Sequence, residues 1–91
     1  MKLKKLDRRH NGNEWFAYCA EYRNGSEAVL FVEHRAWAWA TFGPSCELKF
    51  WGKAGKLGDR WCWHSDEWNT RIYLAGEPEL NWFKLTHGVG I

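Results

Sequence analysis

Three cysteines and one histidine are the residues of this chain whose types could bind a metal ion. Cys19, Cys46, Cys62 and His64 form a nominal set of three thiolates and one imidazole, which are ligands that zinc prefers. Structural zinc sites usually take two ligands from one short turn, because four ligands must converge on a point. The only close pair here is Cys62 and His64, two residues apart. We therefore predict reduced, structural thiols and no metal.

Residue types of nucleophilic catalysis occur together at residues 64–67, which read His-Ser-Asp-Glu. Adjacent side chains of a strand point to opposite sides of the sheet, so this adjacency does not favour a preformed site. The acidic residues are scattered and offer no specific carboxylate pair. A Gly-Lys pair at residues 52–53 is followed by alanine instead of the Ser or Thr of a phosphate-binding loop. We predict that the protein is not an enzyme and binds no cofactor.

Tryptophan is the most unusual feature of the composition. Eight of the 91 residues are Trp, whose large ring carries an N–H that needs a partner. A core of this size cannot enclose all eight, so some Trp side chains should be exposed, and exposed Trp is enriched at binding hot spots. The predicted binding residues are Arg35, Trp37, Trp51, Lys53, Trp61 and Trp68.

Two kinds of macromolecular partner fit these residues. Arg35 with Trp37, or Trp68 in a polar turn, would anchor a protein interface. Trp51 with Lys53, and Trp61 beside Arg60, have the combination of aromatic and basic side chains that binds single-stranded nucleic acid. The net charge is only +2, which favours the protein partner. A homodimer is a further alternative.

The central apolar sequence, residues 34–44, could be a helix or a strand. Its alanines favour a helix, and the Gly43-Pro44 pair is typical of a helix end. As a helix, it places five residues on one broad apolar arc, with Trp37 almost opposite and exposed: Val32, Ala36, Ala38, Trp39 and Phe42. As a strand, it would place Trp37 and Trp39 on the same face.

The remaining elements are mostly strands. The Arg-Asn-Gly-Ser sequence at residues 23–26 is the strongest turn signal, and predicts a hairpin between strands 14–22 and 28–32. Alternating or β-favouring residues predict three more strands, at residues 46–51, 60–64 and 71–75. Acidic residues and Pro78 mark the start of a second helix over residues 80–87, with Gly88 as its terminator.

These elements predict one α+β domain over residues 1–91. The element order is β-β-α-β-β-β-α, a mainly antiparallel sheet of four to five strands with two short helices on one face. Residues 1–9 form either a short edge strand or a flexible basic arm, and residues 88–91 a frayed tail. No run of apolar residues is long enough to span a membrane and no secretory signal is present, so we expect a cytoplasmic protein.

Two segments resemble small uncharacterised bacteriophage proteins. One is the Trp-rich helix that ends in Phe-Gly-Pro-Ser at residues 42–45. The other is the closing strand at residues 71–74, followed by an acidic helix start and Trp-Phe-Lys-Leu at residues 82–85. The resemblance implies no activity and no site residues. It implies a viral protein that binds, and inhibits or redirects, a host protein or defence complex.

Overall fold

Two strands followed by one helix occur twice along the part of the chain that the structure describes. The computed structural model describes residues 1–7, 16–43, 60–65 and 69–88. They form strands β1 (Lys2–Lys5), β2 (Tyr18–Arg23), β3 (Trp61–Ser65) and β4 (Asn69–Leu74), and helices α1 (Ala28–Phe42) and α2 (Glu77–His87). The strands pair antiparallel in the spatial order β1-β2-β4-β3. The predicted α+β fold class is confirmed.

Both helices pack on the same face of the sheet, as predicted. Alternate residues of the strands point to that face and form the main core with apolar side chains of α1 and α2. The strands contribute Tyr18, Ala20, Tyr22, Trp61, Ile72 and Leu74, and the helices contribute Phe31, Ala38, Phe42, Leu80 and Phe83. A smaller buried cluster, centred on Cys19, Tyr73 and Cys62, lies on the opposite face. The sheet therefore has an apolar interior on both faces.

The predicted hairpin between strands 14–22 and 28–32 is wrong. The turn occurs where it was predicted, but residues 28–32 are the first turns of α1. Strand β2 already pairs with β1 along one edge and with β4 along the other, so no edge is left for a third partner. Continuing as helix also places Phe31, at 8% exposure, on the buried side of α1, where it contacts the Tyr22 ring at 5.5 Å between centroids.

Glycine ends both helices. Gly43 has φ +94° and donates its N–H to the Trp39 carbonyl oxygen at 3.0 Å. Gly88 has φ +66° and donates to the Lys84 carbonyl oxygen at 2.8 Å. A residue with a Cβ is strained at such angles, and this confirms the two predicted helix ends. At the start of α2, the Glu79 carboxylate accepts the Gly76 N–H at 3.1 Å, which satisfies a backbone donor that the helix leaves unpaired.

Of the two interpretations of the N-terminus, the edge strand is correct for residues 2–5, because these residues pair with β2 at the sheet edge. The predicted strands 60–64 and 71–75 correspond to β3 and β4, each shifted by one or two residues. The predicted strand 46–51 and residues 89–91 of the tail lie outside the described residues. Neither α1 nor α2 has the length and apolar character that a membrane span requires.

Candidate protein-binding groove

A groove with mostly apolar walls runs between α1 and β3. Four of its residues, Val32, Arg35, Ala36 and Trp39, are spaced by three and four positions, so they form one face of α1. Trp63 of strand β3 forms the opposite wall. The groove has a volume of about 350 Å³, at the lower end of the sizes found for ligand pockets. We call it the α1/β3 groove.

Two bulky apolar side chains of the α1/β3 groove are open to solvent. Trp39 is 52% exposed and Val32 is 50% exposed. The Trp39 ring also leans on the buried Trp61 ring in an edge-to-face contact, with 6.1 Å between ring centroids. This contact holds the indole in place at the groove wall while leaving about half of it open. A fixed, half-exposed Trp is the kind of side chain that anchors a partner without a large loss of side-chain entropy.

Arg35 carries the only formal charge among the residues that line the groove. Its guanidinium carbon lies 5.0 Å from the Trp63 ring centroid and 5.4 Å from that of Phe31, in the range of cation–π contacts. No carboxylate within the described ranges forms an ion pair with it; the four ion pairs found there involve other cations. The groove therefore combines an apolar floor with one positive charge at its wall.

The sequence predicted that Trp37 is exposed and that Trp39 lies on the buried arc, and the structure shows Trp39 as the more exposed of the two. Trp37 is half-buried and packs edge-to-face on Phe42, Phe83 and His87, with centroid distances of 5.2, 5.8 and 4.7 Å. The buried stripe of α1 passes instead through Phe31, His34, Ala38 and Phe42. Of the predicted arc, Ala38 and Phe42 are buried, whereas Val32, Ala36 and Trp39 are exposed. The cause is helix α2, which covers the side of α1 that carries Trp37.

Trp61 was predicted as a binding residue, and the structure corrects this prediction. Its side chain is fully buried, and its Nε1–H donates to the Gly43 carbonyl oxygen at 2.7 Å. The adjacent Arg60 pairs with Glu79 at 2.9 Å, so its charge is compensated as well. A ligand therefore has no access to the Trp61 ring. Of the other predicted binding residues, Arg35 lines the groove, whereas Trp51, Lys53 and Trp68 lie outside the described residues.

A second exposed apolar surface lies on α2. Trp82 is 50% exposed and Leu85 is 85% exposed. Trp82 makes one edge-to-face contact, with the buried Phe42 ring at 6.1 Å between centroids. Trp82 therefore matches Trp39 in its exposure and in its packing, but it does not line the α1/β3 groove. This match makes Trp82 a suitable control position for variants of Trp39.

A pair of stacked histidines joins α1 to α2. The His34 and His87 ring centroids are 3.8 Å apart, and His34 Nδ1 forms a 2.7 Å hydrogen bond with the Tyr22 hydroxyl. Burial lowers the pKa of His34 to about 4, aided by the nearby His87, and burial also lowers the pKa of His87. Two imidazoles that ligate one zinc ion at tetrahedral positions hold their ring centres about 5 Å apart. The stack is too tight for a shared metal, and it forms a direct contact between α1 and α2.

The cysteines and the histidine that the sequence offered as metal ligands lie on several strands or outside the described residues. Cys19, Tyr73 and Cys62 are aligned across β2, β4 and β3, so the two cysteines are separated by two strand spacings, about 9.5 Å. This is too far for a disulfide between them. Burial raises the pKa of the Cys19 thiol to about 11. Within the described residues, no three His, Cys, Asp or Glu side chains converge as a metal site would require. Cys46 lies outside them.

His64 and Ser65 point to opposite faces of the sheet. In the strand register, His64 is opposite Arg71, while Ser65 is opposite Thr70 and its hydroxyl lies 3.1 Å from that of Thr70. The serine hydroxyl and the imidazole next to it in sequence therefore do not meet. Residues 66–67, the acidic part of this set, lie outside the described residues.

The basic residues of the sheet face opposite the helices are partly neutralised. Glu21 accepts a 2.9 Å hydrogen bond from Arg71 Nε and lies 3.4 Å from Lys4 Nζ. Burial acts to raise the pKa of Glu21, but these two cations outweigh it and lower the pKa. The large aromatic ring of this face, Tyr73, is buried. Among the described residues of this face, Phe16 and Tyr73 are buried, so neither offers an open ring on which a base of single-stranded nucleic acid could stack.

Comparison of the chain with protein families, with curated proteins and with solved structures finds no match.

Proposed function

We propose that the protein acts by binding another protein through the α1/β3 groove, without catalysing a reaction. The observation that carries this proposal is the pair of indoles on its two walls, half-exposed Trp39 on α1 and Trp63 on β3, with aliphatic side chains between them. Transferring such an apolar surface from water to contact with apolar side chains of a partner has a favourable free energy. Trp is also the residue type most enriched at the energetic centre of protein interfaces.

The groove favours a protein over a nucleic acid as the partner. Binding to nucleic acid depends on several cations that contact successive phosphates, and the groove contains only Arg35. Val32 and Ala36 between the indoles suit apolar side chains better than sugars or phosphates. Single-stranded nucleic acid remains the alternative suggested by the sequence, and its binding would show a steep dependence on salt concentration.

The resemblance to small bacteriophage proteins suggests the kind of partner. On this proposal the partner is a host protein or part of a defence complex, and binding inhibits or redirects it. The two similar segments correspond to α1 and to the β4–α2 region, so one of them carries the groove residue Trp39. The viral origin rests on this resemblance alone.

Replacing Trp39 by alanine should abolish capture of the partner from a bacterial lysate, because it removes the main exposed anchor of the groove. We expect at least a tenfold loss of the captured protein, in line with the effect of truncating a hot-spot Trp. The measurement is quantitative mass spectrometry of material retained by the immobilised wild-type and variant proteins.

Trp82→Ala is the matched control, since Trp82 has the same exposure and a similar contact with a buried ring. It should retain the partner at the wild-type level. Equal capture by both variants, or equal loss in both, would contradict the proposed function. Circular dichroism of each variant checks that the fold is intact.

A further inference from the structure

Arg35 gives the α1/β3 groove a charge preference that its apolar walls alone would not have. This inference rests on the function proposed above and goes further, because it specifies the chemistry of the partner segment. We infer that the groove binds a segment of a partner protein in which an apolar side chain stands next to a carboxylate.

The guanidinium of Arg35 has a defined position at the wall of the groove. It is held against two aromatic rings, those of Trp63 and Phe31, with its central carbon 5.0 and 5.4 Å from the ring centroids. These contacts restrict the long side chain before the partner arrives, so less entropy is lost on binding. A guanidinium presents a planar fork of N–H donors that matches the two oxygens of a carboxylate. Arg35 is thus prepared to bind an anion at the edge of an apolar groove.

No carboxylate in the described part of the chain forms an ion pair with Arg35. Among the described residues, the carboxylates in ion pairs are Glu21, Glu27 and Glu79, and each pairs with a cation other than Arg35. Covering the groove with a purely apolar segment would remove water from a charge that has no counter-ion among the residues of known position, which is unfavourable. A partner carboxylate removes that penalty.

The groove has apolar space beside Arg35. Val32, Ala36 and Trp39 enclose an apolar volume that, at about 350 Å³ for the whole groove, suits one or two side chains. The small side chain of Ala36 leaves room between the two larger ones. An aromatic or branched aliphatic side chain fits there while a neighbouring carboxylate reaches Arg35.

Two blocked dipeptides test this inference, one of phenylalanine and aspartate and the other of phenylalanine and asparagine. They have nearly the same shape and differ by one negative charge. NMR titration of the full chain at low ionic strength follows the indole N–H signals of Trp39 and Trp63. We expect the aspartate dipeptide to bind on the order of fivefold more tightly than the asparagine dipeptide, in line with a partly exposed ion pair.

Arg35→Gln should remove this difference, so that the two dipeptides bind the variant with the same affinity. Lys84→Gln, which removes one positive charge from α2, is the control and should preserve the difference. If the two dipeptides bind wild-type protein equally, the carboxylate preference is overturned while the apolar groove and the proposed function stand. If neither dipeptide perturbs the Trp39 and Trp63 signals, both proposals fail.

Two other occupants give distinct results in the same experiment. A thymidine octanucleotide that shifts these signals and is released by moderate salt would overturn the inference in favour of single-stranded nucleic acid. Concentration-dependent shifts in the free protein, with a dimer in sedimentation that Arg35→Gln abolishes, would overturn it in favour of a second copy of this chain.

Discussion

Trp61→Ala is expected to lower the free energy of unfolding by about 3–5 kcal/mol, the range for removing a fully buried large ring. The Trp61 side chain has no exposed surface and packs in the main core between the sheet and the helices. The substitution would also leave the Gly43 carbonyl without the indole N–H at the end of α1. Domains of this kind are stable by only about 5–15 kcal/mol, so the variant should unfold far more readily. Denaturant titration followed by circular dichroism measures the loss.

Trp82→Ala again serves as the control and should lower stability by no more than about 1 kcal/mol, since half of that ring is already in water. Trp61→Phe retains most of the buried ring and loses the hydrogen bond, so it should fall between the two. A loss for Trp61→Ala as small as that for Trp82→Ala would contradict the buried position of Trp61. It would then return this residue to the set of binding candidates that its sequence context suggested.

Acidification from pH 6.5 to pH 4 is expected to destabilise the protein by up to about 3 kcal/mol through His34, at 1.36 kcal/mol per pKa unit. Burial, together with the stacked His87 and the N-terminal amine, lowers the pKa of His34 from 6.5 to about 4. In this interval the unfolded chain binds a proton that the folded protein excludes, so stability falls as the pH falls. Below the folded pKa of His34 this contribution is fully lost. Denaturant titrations at several pH values measure the slope.

The polar and titratable groups that surround His34 come from three parts of the chain. They are the Tyr22 hydroxyl from β2, the His87 imidazole from α2, and the N-terminal amine, which itself pairs with Glu27. His34→Phe should be less stable at neutral pH because it leaves the Tyr22 hydroxyl without its partner, but its stability should vary much less between pH 6.5 and pH 4. An unchanged slope in this variant would contradict the assignment. Burial also lowers the pKa of His87, so His87 contributes a slope of the same sign that is retained in this variant. Glu21 acts at lower pH, since its pKa is lowered from 4.5.

Local signals in the sequence were sufficient for most of the fold. Helix ends at Gly43 and Gly88, the turn at residues 23–26 and the strands β3 and β4 follow from backbone preferences of nearby residues. The failed strand at 28–32 shows the limit of such signals. Whether a short apolar segment after a turn becomes a strand depends on whether the sheet has a free edge beside it. Strand β4 occupies that edge of β2. It comes from much later in the chain: Glu21 and Arg71, which are opposite each other, are 50 residues apart in sequence.

The groove was only partly predictable for a related reason. Helix α1 is apolar around most of its circumference, so its sequence does not show which stripe is buried. The decision comes from partners distant in sequence: Tyr22 binds His34, and the α2 residues Phe83 and His87 cover Trp37. The sequence paired Arg35 with Trp37, whereas in the structure Arg35 lines the groove together with Trp39. The spacing of Val32, Arg35, Ala36 and Trp39 was the available signal, since it marks one continuous helix face.

Site-specific photo-crosslinking in bacterial cells tests the central claim most directly, namely that the α1/β3 groove is the contact surface. A benzophenone amino acid is placed either at Val32, in the groove, or at Leu85, on α2. Leu85 is the more exposed of the two, so random collisions would favour it. We predict one discrete crosslinked protein from position 32 and none from position 85. The same products from both positions, or a product from position 85 alone, would contradict the account.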